Sequence, residues 1–149
     1  MYAPSPWYVL PFSIRIIGHL PSFELHRYKQ QNLVWDFLRR HEGLRADEHN
    51  CFLYHHPAHR DAAMDIDFGV QVIRPFEGEG EVISTETPAG EVAMTIHVGS
   101  YDKLAAAYNA IHSWRAATGR AFGERSWEIY GDWTDDTTKL ESQVIYLLS

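Results

Sequence analysis

The sequence predicts an α+β fold: two strand-helix-strand-strand units joined in one antiparallel sheet, with two main helices on one face. Three observations predict it. Segments that alternate apolar and polar residues flank two segments of helical spacing, and the order strand, helix, strand, strand occurs twice. Short sequence matches recur between the halves at a nearly constant offset. A Pro-, Gly- and Glu-rich connector, 74–89, separates the halves.

The elements follow in order. "FSIRIIGH" (12–19) sets Phe12, Ile14 and Ile16 against Ser13, Arg15 and Ile17, a strand that Pro21 ends. "YKQQNLVWDFLRRH" (28–41) carries Leu33, Val34, Phe37 and Leu38 on one helical stripe, with Gly43 as the stop. "NCFLYHH" (50–56) reads as a strand. "MDIDFGVQV" (64–72) puts Met64, Ile66, Phe68, Val70 and Val72 on one face of a half-buried strand. The connector holds room for a short edge strand at 81–85. "EVAMTIHV" (91–98) alternates again, with Val92, Met94, Ile96 and Val98 together. A second helix spans 101–118, capped by Ser100 and stopped by Gly119, with Leu104, Tyr108, Ile111 and Trp114 or Arg115 inward. "RSWEIY" (125–130) and "SQVIYLL" (142–148) close the chain as strands.

The halves match as "HLPSF" (19–23) against "HVGSY" (97–101), Gly43 against Gly119, and Tyr54 against Tyr130. The expectation is one domain over 1–149, with internal repeats at about 12–73 and 90–148. A pseudo-twofold axis between two such copies leaves a central pocket at their seam, a common place for a ligand.

Composition bounds the function. The chain has 149 residues and a net charge of −7, without a Lys/Arg cluster, which argues against nucleic acid as a direct ligand. No apolar run approaches the roughly 20 residues that span a membrane, and "MYAPSPWYVLPF" lacks the basic start and apolar core of a signal peptide. A single cysteine, Cys51, rules out an internal disulfide and suits a reducing compartment. The expectation is a soluble, cytoplasmic protein. Aromatic residues reach 13%, with 5 Trp and 8 Tyr, the composition of a pocket that stacks flat ligands.

Glu128, in "GERSWEIYGDW" (123–133), is the residue that invites chemistry. Glutamate is depleted in strands, and a lone buried carboxylate costs several kcal/mol or more. Alternation places Ser126, Glu128 and Tyr130 on one face, and Arg125, Trp127 and Ile129 on the other. "HHPAHRD" (55–61) has no second ligand pair elsewhere, so no metal is expected there, and no cofactor motif is present. His97 reads as a histidine bonding backbone near a helix start, and Cys51 lacks the partners of a nucleophile.

The ordered set "ETPAGEVAMTIHVGSYDKLAAAYNAIHSW…SWEIYGDW…LESQVIYLL" resembles the gyrase-inhibitor-like (GyrI-like), or AraC-type effector-binding, domain family. His97, Gly99, Tyr101, Trp114 and the Glu128–Tyr130 triplet carry the resemblance. It covers 86–148 closely and 12–73 more loosely, with Pro21 and Phe23 where the pattern has Gly and Tyr. It implies a duplicated fold around an aromatic pocket, in which a Glu at the position of Glu128 meets flat organic cations. It also implies a free-standing member, because residues 1–11 are too short for a DNA-binding helix-turn-helix.

Three functions stay open on this footing. The first is a ligand sensor or a sequestering, resistance-type protein for flat aromatic cations, with Glu128, Tyr130, Tyr108, Trp35, Tyr54 and Tyr146 as binding residues. The second is a hydrolase of reactive cyclopropane-bearing compounds, with Glu128 and Trp127 catalytic; an apolar setting would raise the Glu128 pKa toward neutrality for that task. The third is a protein-interaction module with a partner such as gyrase or a regulator. A homodimer through free sheet edges is also open.

Overall fold

The structure, a computed structural model, describes residues 8–9, 13–16, 31–59, 61–62 and 64–149. The "HLPSF" match, the stop at Pro21, the ends of the first expected strand and residues 28–30 of the first expected helix lie outside the described residues. In chain order the elements are β1 (Tyr8–Val9), β2 (Ser13–Ile16), α1 (31–40), β3 (Arg45–His55), β4 (Met64–Val72), β5 (Thr85–Glu86), β6 (Val92–Val98), α2 (Ala105–Thr118), β7 (Phe122–Tyr130) and β8 (Glu141–Leu148). No helix among the described residues is long and apolar enough to cross a membrane.

The strands form one antiparallel sheet in the order β5-β1-β4-β3-β7-β8-β6, and β2 also pairs with β4. Five long strands, β4-β3-β7-β8-β6, make its body. β3 and β7 meet at the centre, where Phe52 faces Glu128 and Tyr54 faces Ser126. The short strand expected at 81–85 is displaced: the pairing residues are Thr85 and Glu86, opposite Val9 and Tyr8.

Both helices pack on one face, over two separate apolar clusters. α1 buries Val34, Phe37 and Leu38 against Phe52, Ile66, Phe68 and Val70. α2 buries Ala107 and Ile111 against Ala93, Val144 and Tyr146. A third cluster, Cys51, Leu53, Trp127 and Ile145, lies on the reverse face. Burying side chains of this size stabilises by about 1.5–3 kcal/mol each, so these clusters supply the main driving force.

Several local expectations need correction. β4 is buried on both faces rather than one, since every residue from Ile66 to Val72 is buried, and it is an interior strand with β1 and β2 along one edge and β3 along the other. On β6 the alternation is right but the buried face is the other one. Ala93 is buried beneath α2, while Met94, Ile96 and Val98 are exposed at 49%, 51% and 60%. A small alanine admits the close approach of the helix that a methionine would block. Leu33 and Trp114 lie outside their inward stripes. Trp114 overhangs the sheet's last strand and lines a groove with Val92, Met94 and Thr95. Arg115 sets its guanidinium over the Phe122 ring, 4.7 Å from the centroid.

Ser100 does not cap α2. A 3-10 turn, Tyr101–Lys103, intervenes, and Ser100 hydrogen-bonds the Asp102 carboxylate instead. His97 bonds the Ser100 carbonyl at 2.9 Å across Gly99, whose φ of 137° is open to glycine and strained for other residues. That contact gives the "H-x-G" pattern a structural reason. Gly119 ends α2 at φ 68°, donating its N–H to the Arg115 carbonyl.

A Cβ at Gly119 would meet nothing within 4 Å, so the cost of Gly119→Ala is confined to its backbone conformation. We expect a loss of about 1 kcal/mol, seen as a fall of about 2–4 °C in melting temperature. An unchanged melting temperature would refute the left-handed cap.

Candidate functional site

Glu128 sits at the centre of the sheet, between the two helix-covered clusters. Its neighbours across the strands are Phe52 on β3, from the first cluster, and Val144 on β8, from the second. The side chain is buried, with 5% exposure. Tyr108 of α2 donates its hydroxyl to Oε1, and Tyr130 donates to Oε2 at 2.6 Å. Each carboxylate oxygen thus has its own phenolic donor. Tyr108 packs at the margin of the second cluster and Tyr130 at the margin of the first, so the carboxylate ties them together.

Among the described residues no lysine, arginine or histidine pairs with Glu128. Hydrogen bonds to a charged group contribute about 1.5–3 kcal/mol each, against a desolvation cost of several kcal/mol for the ion. Two tyrosines therefore offset most of the cost of burial but leave the negative charge without a counter-charge. Burial first, and then the Glu128 charge, pushes the Tyr108 phenol well above its ordinary value, so it stays a donor at neutral pH. Burial likewise raises the Tyr146 hydroxyl.

Further rings complete the surroundings. Tyr130 lies edge-on to Phe52 (5.8 Å) and to Tyr101 (5.2 Å), and Tyr108 lies edge-on to Tyr146 (6.2 Å). Ser126, buried and on the same face as Glu128, has its Oγ 2.7 Å from His56 Nε2. The His56 ring stacks on Tyr146 at 5.9 Å, and burial, with His55 next to it, lowers its pKa.

Of the residues singled out in the sequence, Glu128, Tyr130 and Tyr108 are in direct contact. Tyr54 and Tyr146 lie close enough for their phenols to influence Tyr108. Trp35 packs against the first cluster from α1. Trp127 is fully buried on the reverse face with Cys51, Leu53 and Ile145, away from the carboxylate's side of the sheet. Sequence reasoning passed over Tyr101, Ser126 and His56. The strand alternation had already put Ser126 on the Glu128 face; His56 was considered only as a metal ligand. The two adjacent histidines in fact diverge: His55 bonds Asp67 at 2.6 Å and His56 bonds Ser126. Among the described residues no three His, Cys, Asp or Glu side chains are grouped to hold a metal. Cys51 is buried, and burial, with the Glu128 and Asp67 charges, pushes its thiol far up, which leaves it unreactive.

The Glu128 site is closed, its carboxylate and the neighbouring Ser126 and Tyr146 all buried. A cavity of about 530 Å3 lies elsewhere, between the end of α1 and residues 74–79, lined by Phe37, His41, Arg74 and Phe76.

Removing one phenolic donor should leave half of a buried carboxylate unsatisfied. Tyr108→Phe and Tyr130→Phe are each expected to destabilise by about 1–3 kcal/mol, and not additively, since both act on one group. Urea unfolding of the two single variants and the double variant measures this; additive losses would contradict the shared carboxylate. His56 gives a pH signature. Above about pH 6.5 the ring is neutral in both states and contributes no slope. Below that value the unfolded chain takes up a proton that the folded one resists, so stability falls with acid. His56→Asn should flatten that part of the decline.

The geometry can be set beside known proteins. No curated protein matches the chain. Among solved structures, the EcmrR C-terminal domain superposes with a TM-score of 0.67 at 19% identity, over 96% of this chain and 91% of that one. EcmrR in a DNA complex gives 0.70 at 22% identity, over 96% of this chain and 53% of that one. A hydrolase from Listeria innocua gives 0.57 at 12% identity, over all of this chain and 90% of that one. At these identities the likeness is one of fold. The model of the GyrI-like small molecule binding domain matches residues 37–146, a span that holds the last turn of α1, all of α2, both central strands and Glu128 with its two tyrosines, and the chain belongs to that family.

Proposed function

We propose that this chain binds flat aromatic cations at Glu128, as a ligand sensor or a sequestering protein. One observation carries the reading: a buried, doubly hydrogen-bonded carboxylate with no cation beside it among the described residues. A structural glutamate at the centre of a sheet is normally paired or replaced by an apolar residue. A cationic ligand supplies the missing charge. Tyr54, Tyr101, Tyr108, Tyr130 and Tyr146 gather aromatic rings around the carboxylate, an aromatic face attracts a cation by about 0.5–2 kcal/mol, and Trp35 packs against the first cluster from α1. Because the site is closed when empty, the ligand enters by parting the two helix-covered clusters, taking Tyr108 or Tyr130 off the carboxylate.

The same reading takes the chain as one domain made of two copies of a strand-helix-strand-strand unit, at about 12–73 and 90–148. The strand order β2-β4-β3 on one side of the β3–β7 pair and β6-β8-β7 on the other supports it. Glu128 then lies beside the pseudo-twofold axis, between the two helix-covered clusters. A hydrolase that joins Trp127 to Glu128 is less favoured, because the sheet separates the two side chains.

Tryptophan fluorescence titration with a planar cationic dye and its neutral isostere tests the reading. The cation should bind at least tenfold more tightly, and Glu128→Gln should remove that preference. Equal affinity for both dyes, unchanged by Glu128→Gln, would overturn the proposal.

A further inference from the structure

Beside the carboxylate, the same sheet face carries a polar pair that the charge-pairing role of Glu128 does not use. Ser126 precedes Glu128 by two residues on β7, so both point into one face, about 7 Å apart along the strand. Ser126 is 2% exposed, and its hydroxyl is fixed from two sides. His56 Nε2 lies 2.7 Å away, and Ser126 also hydrogen-bonds the Tyr146 hydroxyl. His56 is itself anchored: its backbone N–H donates to the Glu124 carbonyl at 2.8 Å, and its ring stacks on Tyr146. A serine hydroxyl offers one donor and two acceptor positions. Two partners leave one position on the hydroxyl, which lies on the same face of β7 as the Glu128 carboxylate.

We infer that Ser126, oriented by His56, is a second polar subsite of the Glu128 pocket, selecting flat cations that carry a hydrogen-bonding group about 7 Å from the charged nitrogen. The inference rests on the binding function proposed above and names its substrate class: two-pole cations rather than purely hydrophobic ones. Ser126 touches the ligand, whereas His56 is a positioning residue that acts through it. A hydrophobic pocket with only a carboxylate would accept any flat cation of the right size. A buried hydroxyl adds discrimination, because a ligand without a matching polar group leaves it unsatisfied.

The test uses the full chain and two dyes, an amino-substituted phenanthridinium cation and its unsubstituted parent, titrated by tryptophan fluorescence. The wild type should bind the amino cation about tenfold more tightly, the ratio one neutral hydrogen bond provides. Ser126→Ala should bring the ratio to about one, Ser126→Thr should restore it, and His56→Phe, which keeps the stacking ring, should reduce it. The ratio is insensitive to general loosening of the pocket, which weakens both dyes alike. A wild-type ratio near one, or a ratio unchanged in Ser126→Ala and His56→Phe, overturns the subsite. If these results come with loss of binding in Glu128→Gln, the cation site stands without the subsite. If neither dye binds the wild type, both proposals fall together. Should Ser126→Ala not fold, Ser126→Thr and His56→Phe decide the matter.

Discussion

The structure turns on one constraint: a carboxylate buried at the middle of an antiparallel sheet must be satisfied with no cation beside it among the described residues. Glu128 meets it with two tyrosines drawn from different parts of the chain, Tyr130 from its own strand and Tyr108 from α2. Those tyrosines belong to the margins of two separate apolar clusters, one under α1 and one under α2. The clusters share no buried residue, so the hydrogen bonds across Glu128 are a direct tie between them. Satisfying the carboxylate and docking the helices are therefore one problem. The sheet sets the spacing, since Phe52 and Val144 flank Glu128 in register and hold it where both hydroxyls reach.

The two faces of the sheet divide the work. On the reverse face Trp127, Cys51, Leu53 and Ile145 form a dry cluster that fixes the β3–β7–β8 pairing. A tryptophan next to Glu128 in sequence serves the sheet's integrity from behind, while the carboxylate works in front. Strand periodicity makes adjacent residues opposites in space. It also makes Ser126 and Glu128 companions despite the tryptophan between them, and it sends His55 to Asp67 while His56 goes to Ser126.

Much of this was legible in the sequence where periodicity carries information. The span of β4 follows directly from "MDIDFGVQV", and the Glu128–Tyr130 contact follows from alternation alone. Gly119 marks the end of α2 because its left-handed backbone excludes other residues cheaply. What periodicity does not reveal is which face a neighbour covers. On β6 the apolar side chains Met94, Ile96 and Val98 face outward, and the smaller Ala93 lies under the helix, since backbone approach mattered more than hydrophobicity there. Tyr108 was legible as an inward residue but not as a donor to Glu128, because helix-to-strand distance is a tertiary quantity. His56 was obscured by its neighbours: in "HHPAHRD" the histidines look like one cluster until the strand sends the first two to opposite faces.

The closed state of the site has a consequence for the proposed ligands. An empty pocket with a bare carboxylate would draw in water, and its charge would be screened. Phenolic donors keep the buried Glu128 carboxylate hydrogen-bonded on both oxygens. A cation entering must displace at least one donor, so part of its attraction is spent on breaking a bond of about 1.5–3 kcal/mol. Neutral flat molecules break the same bond and gain no charge pairing in return. Under the proposed binding function the tyrosines act as a filter: they lower affinity for every ligand but penalise uncharged ones most. On that proposal, generic aromatic faces that stack on any flat ring still discriminate by charge, and the discrimination rests on the same two hydroxyls that tie the two helix-covered clusters together.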